Sequence, residues 1–215
     1  LNIEGPLIRD RTSFILGGRA TYANWLLKYL PDEYKNSKAS FYDINLLLSH
    51  KINDKNDLYL TAYMSNDLFN LNSDTVYGYG NKNIVLKWKH VFNNKFQTLF
   101  SAGYDSYGYR IYSDNNEVNA YDMKFNISQS NIKFHFNYFV NSKHTLDFGL
   151  SSIYYTLHPG SFEPRGAKSL VIPDIIDKEQ ALESALYLTE KYNITPQFSA
   201  QAGIRFSLYN YLGPQ

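Results

Sequence analysis

Along residues 197–208, apolar and polar side chains alternate without a break. Phe198, Ala200, Ala202, Ile204, Phe206 and Leu208 share one face of an extended chain, and Gln197, Ser199, Gln201, Gly203, Arg205 and Ser207 share the other. A period of two marks a strand with two unlike environments. The run slightly exceeds the roughly 9–11 residues of a tilted membrane-crossing strand. The template recurs. Leu58, Leu60, Ala62 and Met64 alternate with Asp57, Tyr59, Thr61, Tyr63 and Ser65, and Ile84, Leu86 and Trp88 with Asn83, Lys87 and Lys89. Ile132, Phe134, Phe136 and Tyr138 alternate with Asn131, Lys133, His135 and Asn137. The pattern predicts about ten strands, at 1–4, 12–23, 39–50, 57–67, 82–92, 95–109, 119–140, 144–158, 180–192 and 196–210. The alternation changes phase near Gln129–Asn131, which predicts a bulge or break there. Two stretches read equally well as helix. Asp177–Tyr192 has Leu182, Ala185, Leu186 and Leu188 at helical spacing behind an Asp177 N-cap, and Tyr22–Tyr29 precedes Pro31.

The connections alternate in length. Gly5–Arg11, Lys51–Asn56, Asn93–Asn94, Asn141–Lys143 and Asn193–Thr195 are short, whereas Asn24–Lys38, Leu68–Asn81, Arg110–Val118 and Pro159–Glu179 are long. Up-and-down barrels of the outer membrane segregate their loops in this way, with tight turns on one side and long loops on the other. A β-sandwich has no reason to do so.

Composition narrows the function classes. Lys plus Arg number 21 and Asp plus Glu 20, so the basic stripe that nucleic acid requires is missing. Without cysteine there are no disulfides, thiolate metal sites or thiol nucleophiles. Aromatic residues make up 17% of the chain and there are 22 Asn, a composition foreign to helical proteins. No apolar run approaches the roughly 18–20 residues of a membrane-spanning helix. The mean hydropathy of −0.41 is nevertheless compatible with a membrane barrel, whose strands alternate lipid-facing and lumen-facing residues.

The wording of the strands adds to their period. Glu4-Gly5-Pro6-Leu7-Ile8-Arg9-Asp10-Arg11-Thr12-Ser13-Phe14, running on to Arg19 and Tyr22, resembles an early-barrel turn of TonB-dependent outer-membrane receptors. Glu183–Glu190 followed by Ala202-Gly203-Ile204-Arg205-Phe206 resembles a later hairpin of the same barrels, and His144–Gly149 with Tyr154–Gly160 is also similar. The resemblance, closest to the SusC-like and carboxypeptidase-regulatory-domain branch, implies several things. The fold is an all-β, antiparallel, up-and-down transmembrane barrel segment in the outer membrane of a diderm bacterium. Family barrels have 22 strands and a plug that contacts TonB; residues 1–215 carry neither plug nor TonB box, so the chain is expected to be a fragment. Its partners would be lipid, the rest of the barrel, the plug, TonB through that plug, and a surface lipoprotein. Its function would be energised uptake of a nutrient.

Other chemistry is sparse. Gly160–Ser169 departs from a phosphate loop, with five residues between its glycines and Ala167 before Lys168. The five histidines (His50, His90, His135, His144, His158) do not pair at metal-ligand spacing, so neither metal nor cofactor is expected. The charges that the alternation points into a lumen are Arg19, Lys87, Lys89, Asp105, Lys133, His135, Asp147 and Arg205; solvation of the interior or pairing with a plug accounts for them. The loop aromatics Tyr77, Tyr79, Tyr107, Tyr109 and Phe162 either stack on a sugar or other ligand, or form an interfacial girdle. Nearness to strand ends favours the girdle. The alternative architecture is a complete small barrel, acting as an enzyme with catalytic residues at its rim or as a structural or adhesive protein. Pairing between the terminal strands would mark it.

Overall fold

In the computed structural model, residues 1–21, 24–29, 31, 37–70 and 75–214 are described. They form one antiparallel sheet: β1 (Asn2–Ile8), β2 (Thr12–Ala20), β3 (Lys38–Asn53), β4 (Asn56–Asn70), β5 (Thr75–Asn93), β6 (Phe96–Ser113), β7 (Tyr121–Phe139), β8 (His144–Pro164), β9 (Asp174–Ile175), β10 (Glu179–Asn193) and β11 (Ser199–Pro214). Each strand pairs with its neighbour in the chain, except that β10 also pairs with β8 and the two-residue β9 flanks β8. Among the described residues β1 and β11 do not pair with each other, so the sheet is open. The small closed barrel lacks the pairing it needs.

Asparagine closes the tight turns. The Asn53 side-chain oxygen accepts from the Lys55 amide (3.0 Å), that of Asn93 from Lys95 (2.9 Å), and that of Asn141 from Lys143 (2.9 Å) and His144 (3.0 Å). An Asn side chain that hydrogen-bonds the backbone two residues on mimics a turn, which gives part of the asparagine excess a structural use. At the other end the strands run past their expected limits, and residues 75–81, 110–113 and 159–164 are strand rather than loop.

Both helical alternatives are settled. Asp177–Tyr192 is mostly β10, where Leu182, Leu186 and Leu188 take one face and Ala185 the other, against Ser151 and Ser207. The helical spacing was a coincidence of two leucines two apart with an alanine between strands. A 3-10 turn occupies Asn24–Tyr29; Tyr22 of the motif and of that expected helix lies outside the described residues.

Registry divides the sheet into two faces. Opposed residues share a face, so the chain of partners Leu16, Leu46, Ala62, Ile84, Tyr104 defines one side and Gly17, Asn45, Tyr63, Asn83, Asp105 the other. The first carries most of the strands' exposed large hydrophobics, with Ile204 at 76%, Phe206 at 68% and Leu186 at 60% exposure. Contiguous apolar surface on this scale exceeds what soluble monomers leave uncovered. Leu208 joins that face, Phe198 is exposed just before β11, and Arg205 lies opposite, 3.9 Å from Glu183.

The apolar face ends at both rims. Near the tight turns Trp88 and His90 both reach the Asn56 side-chain oxygen (3.0 and 2.8 Å), beside a pile of Phe92, Phe96, Phe136 and Phe148. At the far rim stand Tyr42, Tyr104 and Tyr154. From Phe96 to Tyr104 the chain rises about 27 Å, which a tilt of about 40° brings near the roughly 25 Å apolar band of an outer-membrane barrel. Segments such as Phe96–Tyr104 of β6 and Ile132–Tyr138 of β7 lie within the band.

Beyond the far rim the same face turns polar without losing register. On β7, Ile132 is followed upward by Ser130, Ser128, Asn126, Lys124 and Asp122, while Ile127, Phe125 and Met123 occupy the other face. Pairing is continuous through Gln129–Asn131, so the expected bulge is absent there. The register shift lies higher, at Lys124–Asn126 opposite His158–Ser161. The phase change marks where the strand leaves the apolar band and its two sides exchange environments.

A cluster of charges stands on this outer stretch. Asp122 accepts from Arg110 through both oxygens (2.8 and 2.5 Å), with Lys124 at 3.3 Å and Arg165 at 3.8 Å. The Arg165 guanidinium sits 4.1 Å from the Tyr112 ring centroid. Burial alone would push the Asp122 carboxyl up, but the hydrogen bonds from Arg110 and Lys124 outweigh it and hold the carboxyl below its ordinary value.

Two outcomes are expected. Ile204→Arg should destabilise the sheet in phospholipid vesicles by about 2–4 kcal/mol near the midplane, as measured by urea titration; equal stability would refute the assignment of faces. Because the folded Asp122 carboxyl is depressed, its stabilising contribution is complete above the unfolded value of about 3.9 and is lost as pH falls through the lower folded value. Proteolytic nicking at residues 114–120 should therefore rise below about pH 4 in the wild type, and Asp122→Asn should show at neutral pH the susceptibility that the wild type gains only in acid.

Candidate functional site

The polar face is layered, because each step across the sheet joins residues that stand directly opposite one another. Nearest the tight turns the layers are charged. One runs Tyr59, Lys87, Ser101, Lys133, Ser151 and the next Asp57, Lys89, Leu99, His135, Gly149, Tyr187, Arg205. The eight charges expected on this face all lie on it. Within the charged layers the Tyr187 hydroxyl meets His135 Nδ1 at 2.7 Å, and Asn137 bridges His135 Nε2 (3.1 Å) to Asp147. Lys133 Nζ lies 5.5 Å from the Tyr187 ring centroid. The ring is laid over Gly149, where a Cβ would stand 2.6 Å from the Tyr187 hydroxyl and 2.1 Å from the Phe134 carbonyl oxygen. Only glycine permits that approach.

Higher up comes a belt of amides and phenols: Asn45, Tyr63, Asn83, Asp105, Gln129 and Tyr155. Asp105 is its hub, accepting from Asn83, from Gln129 (3.2 Å) and from Asn131 just below (3.1 Å). Such a carboxylate satisfies several amide donors at once and fixes their orientation. In the layer above the belt, Arg19 is matched to Asp43.

The top layers are aromatic. Tyr79 and Tyr109 are directly opposed, as are Phe69 and Tyr77, and Met123 and Phe162. Phe69 stacks on Tyr77 with centroids 5.0 Å apart and on Tyr79 at 5.9 Å, and Tyr79 stacks on Tyr109 at 4.9 Å. Phe162 packs on Tyr121 at 5.3 Å. Tyr77, Tyr79, Tyr107, Tyr109 and Phe162 lie in strands rather than loops, and registry puts them on the polar side. Tyr77, Tyr79 and Tyr109 share one ladder, Tyr107 lies one layer lower, and Phe162 belongs to a separate pair on β7 and β8. Reading them as loop residues hid Phe69 and the amide belt. The signal that could have found them is the phase change, because above it the odd-numbered positions of β5, β6 and β7 become aromatic or aliphatic. Among the described residues no group of three or more His, Asp and Glu is placed to hold a metal ion.

No protein-family model and no curated protein sequence matches the chain. Solved structures do. The ferripyoverdine receptor of the Pseudomonas aeruginosa outer membrane matches with a TM-score of 0.73 and 12% identity, over 99% of this chain and 35% of the receptor. The outer-membrane transporter YddB of Escherichia coli gives 0.71 and 13%, over 99% and 33%. BauA, the ferric preacinetobactin receptor of Acinetobacter baumannii, gives 0.65 and 10%, over 98% and 40%. At such identities the likeness is one of fold, and the chain spans about a third to two fifths of those proteins.

The Gly149 contact yields a further expectation. Gly149→Val should destabilise the folded sheet by about 1–3 kcal/mol. Truncating the ring as well, in Gly149→Val with Tyr187→Ala, should restore only part of the loss, because the Phe134 carbonyl still clashes. Urea unfolding of both variants checks this, and full rescue would mean that the ring alone demands glycine.

Proposed function

We propose that the chain forms part of the wall of a larger outer-membrane barrel of the TonB-dependent receptor type, in a diderm bacterium. Its apolar face meets lipid and its polar face lines the lumen. The observation that carries this reading is the exchange of polarity along β5, β6 and β7, with no register shift at the point of exchange, in a sheet whose edges stay open. Unpaired backbone groups on β1 and β11 cost several kcal/mol each in hydrocarbon, so further strands must complete the cylinder. The fold likeness to receptors and a transporter supports the same reading, as do the early-barrel and hairpin motifs.

The layered lumen suits such a receptor. The charged layers near the tight turns face the space that a plug fills, where Lys87, Lys89, Lys133 and Asp147 provide hydrogen bonds and ion pairs to it. The aromatic and amide layers face the side of the long loops, where an external ligand arrives. Energised import follows from the receptor type: ligand binding reaches the plug, and TonB pulls on the plug from the inner membrane. The substrate is a nutrient, and a surface lipoprotein is a compatible partner of the outer rim.

The full-length protein is expected in the outer-membrane fraction, with faster gel mobility unboiled than boiled, and its ligand uptake should stop when TonB is deleted or the proton gradient is collapsed. Uptake that survives both treatments would exclude energised transport.

A further inference from the structure

Four successive tight turns carry basic side chains: Arg9 and Arg11 between β1 and β2, Lys55 between β3 and β4, Lys95 between β5 and β6, and Lys143 between β7 and β8. All of them are exposed. Of the acidic residues in these turns, Asp54 is matched to Lys51 at 2.7 Å and Asp10 lies 4.0 Å from Arg9. Among the described residues Lys55, Lys95 and Lys143 form no ion pair. Turn chemistry does not account for them. In each of the three turns an Asn two positions earlier accepts from the lysine's backbone amide, and any residue except proline brings that donor. Solvation asks only for a polar side chain, not for one sign of charge. A cation repeated at the same position after the asparagine points to an anion.

Their place below the apolar band says what kind of anion. The residue after each lysine belongs to the aromatic edge of the lipid side: Asn56 meets Trp88 and His90, Phe96 stacks on Phe92 (4.9 Å), and His144 stacks on Tyr192 (4.4 Å). The lysines therefore stand one residue beyond that edge, and aromatic belts sit at headgroup level. A four-carbon stem keeps its methylenes on apolar surface while the ammonium stays in the polar layer. Successive turns are two strands apart, about 10 Å at the strand spacing of a sheet, so each can meet its own headgroup. Beside Lys143 a recess of about 710 Å³ opens towards the β10–β11 turn, lined among others by Lys143, Lys191, Ile194 and Phe198. Two lysines next to apolar side chains suit a molecule with a phosphate at one end and hydrocarbon at the other.

We propose that this row of turn cations, with the recess beside Lys143, is a binding surface for the headgroup phosphates of anionic glycerophospholipids in the inner leaflet of the outer membrane. The proposal rests on the receptor reading, which puts the tight turns on the periplasmic side. Each basic residue close to an anionic bilayer surface adds to the attraction. The row thereby sets the depth of the sheet: the apolar band marks where hydrocarbon ends, and the ammonium groups hold the turns at the phosphate plane. An anionic polymer of the periplasm meets the same charges, but only a lipid also covers the aromatic edge and the apolar wall of the recess.

The test places the full-length protein in vesicles of equimolar phosphatidylglycerol and phosphatidylcholine, extracts it in mild detergent, and identifies the retained lipids by mass spectrometry. Phosphatidylglycerol should dominate, and its excess should shrink when extraction is repeated at high salt. The triple variant Lys55→Gln, Lys95→Gln, Lys143→Gln keeps the backbone amides that the asparagines hold. It should reduce the excess about fivefold or more with unchanged heat-modifiable mobility, and Lys55→Arg, Lys95→Arg, Lys143→Arg should keep it. Equal retention of the two lipids by the wild type, an excess insensitive to salt, or an excess that the Gln variant preserves in full would each overturn the proposal. So would sedimentation with purified peptidoglycan that the Gln variant loses while its lipids stay unchanged, a result that assigns the row to the wall polymer. All of these leave the receptor reading intact, whereas uptake independent of TonB counts against that reading alone.

Discussion

Hydrocarbon offers no partner to a backbone N–H or C=O, and that constraint governs this protein. Each residue of a strand inside the apolar band must pair with a neighbouring strand, so the chain meanders from hairpin to hairpin and β2–β8 and β10 are paired on both sides through the band. Side chains are then free to be chosen by face. With little helix and few buried side chains in the described residues, the sheet has almost no core of its own. Lipid and lumen contents take the place that a core has in a soluble domain.

The same pairing continues above the band, where the solvent requirement reverses. Outward positions such as Lys124 and Asp122 become polar and inward positions such as Phe125 and Met123 become apolar, although the pairing of β7 with β6 runs on unshifted. The reversal builds the ladder of Phe69, Tyr77, Tyr79 and Tyr109. Those rings would be lipid-facing or interfacial only if the register slipped by one, and the register does not slip. It also brings Arg110, Asp122, Lys124 and Arg165 together on the outside, where a charge cluster is tolerable because lipid has ended.

Layering gives the polar face its division of labour. Charged residues gather near the tight turns, amides and phenols in the middle, aromatics at the long-loop end. From the long-loop end downward, the polar face presents rings, then phenols and amides, and only then Lys87, Lys89 and Lys133. Asp105 links the layers chemically, because it orders amides from β5 and β7 around a single carboxylate.

Much of this was legible in the chain. The alternation alone determined which residues of β4, β5, β7 and β11 share a face, that the eight charges fall on the polar one, and that tight and long connections alternate, because a strand's side-chain period of two is a local property. What the chain could not decide was the length of the strands beyond the band, the identity of β10 and the meaning of the phase change. Helical spacing at Leu182–Leu188 and a polarity reversal at Gln129–Asn131 each have two local explanations, a helix or a strand, a bulge or a change of surroundings. Only the cross-strand partners distinguish them, since pairing is a relation between residues up to tens of positions apart. For the same reason the tertiary structure alone placed Phe69 against Tyr77, Tyr79 against Tyr109, and Tyr187 over Gly149: registry, not sequence neighbourhood, sets which side chains stand side by side.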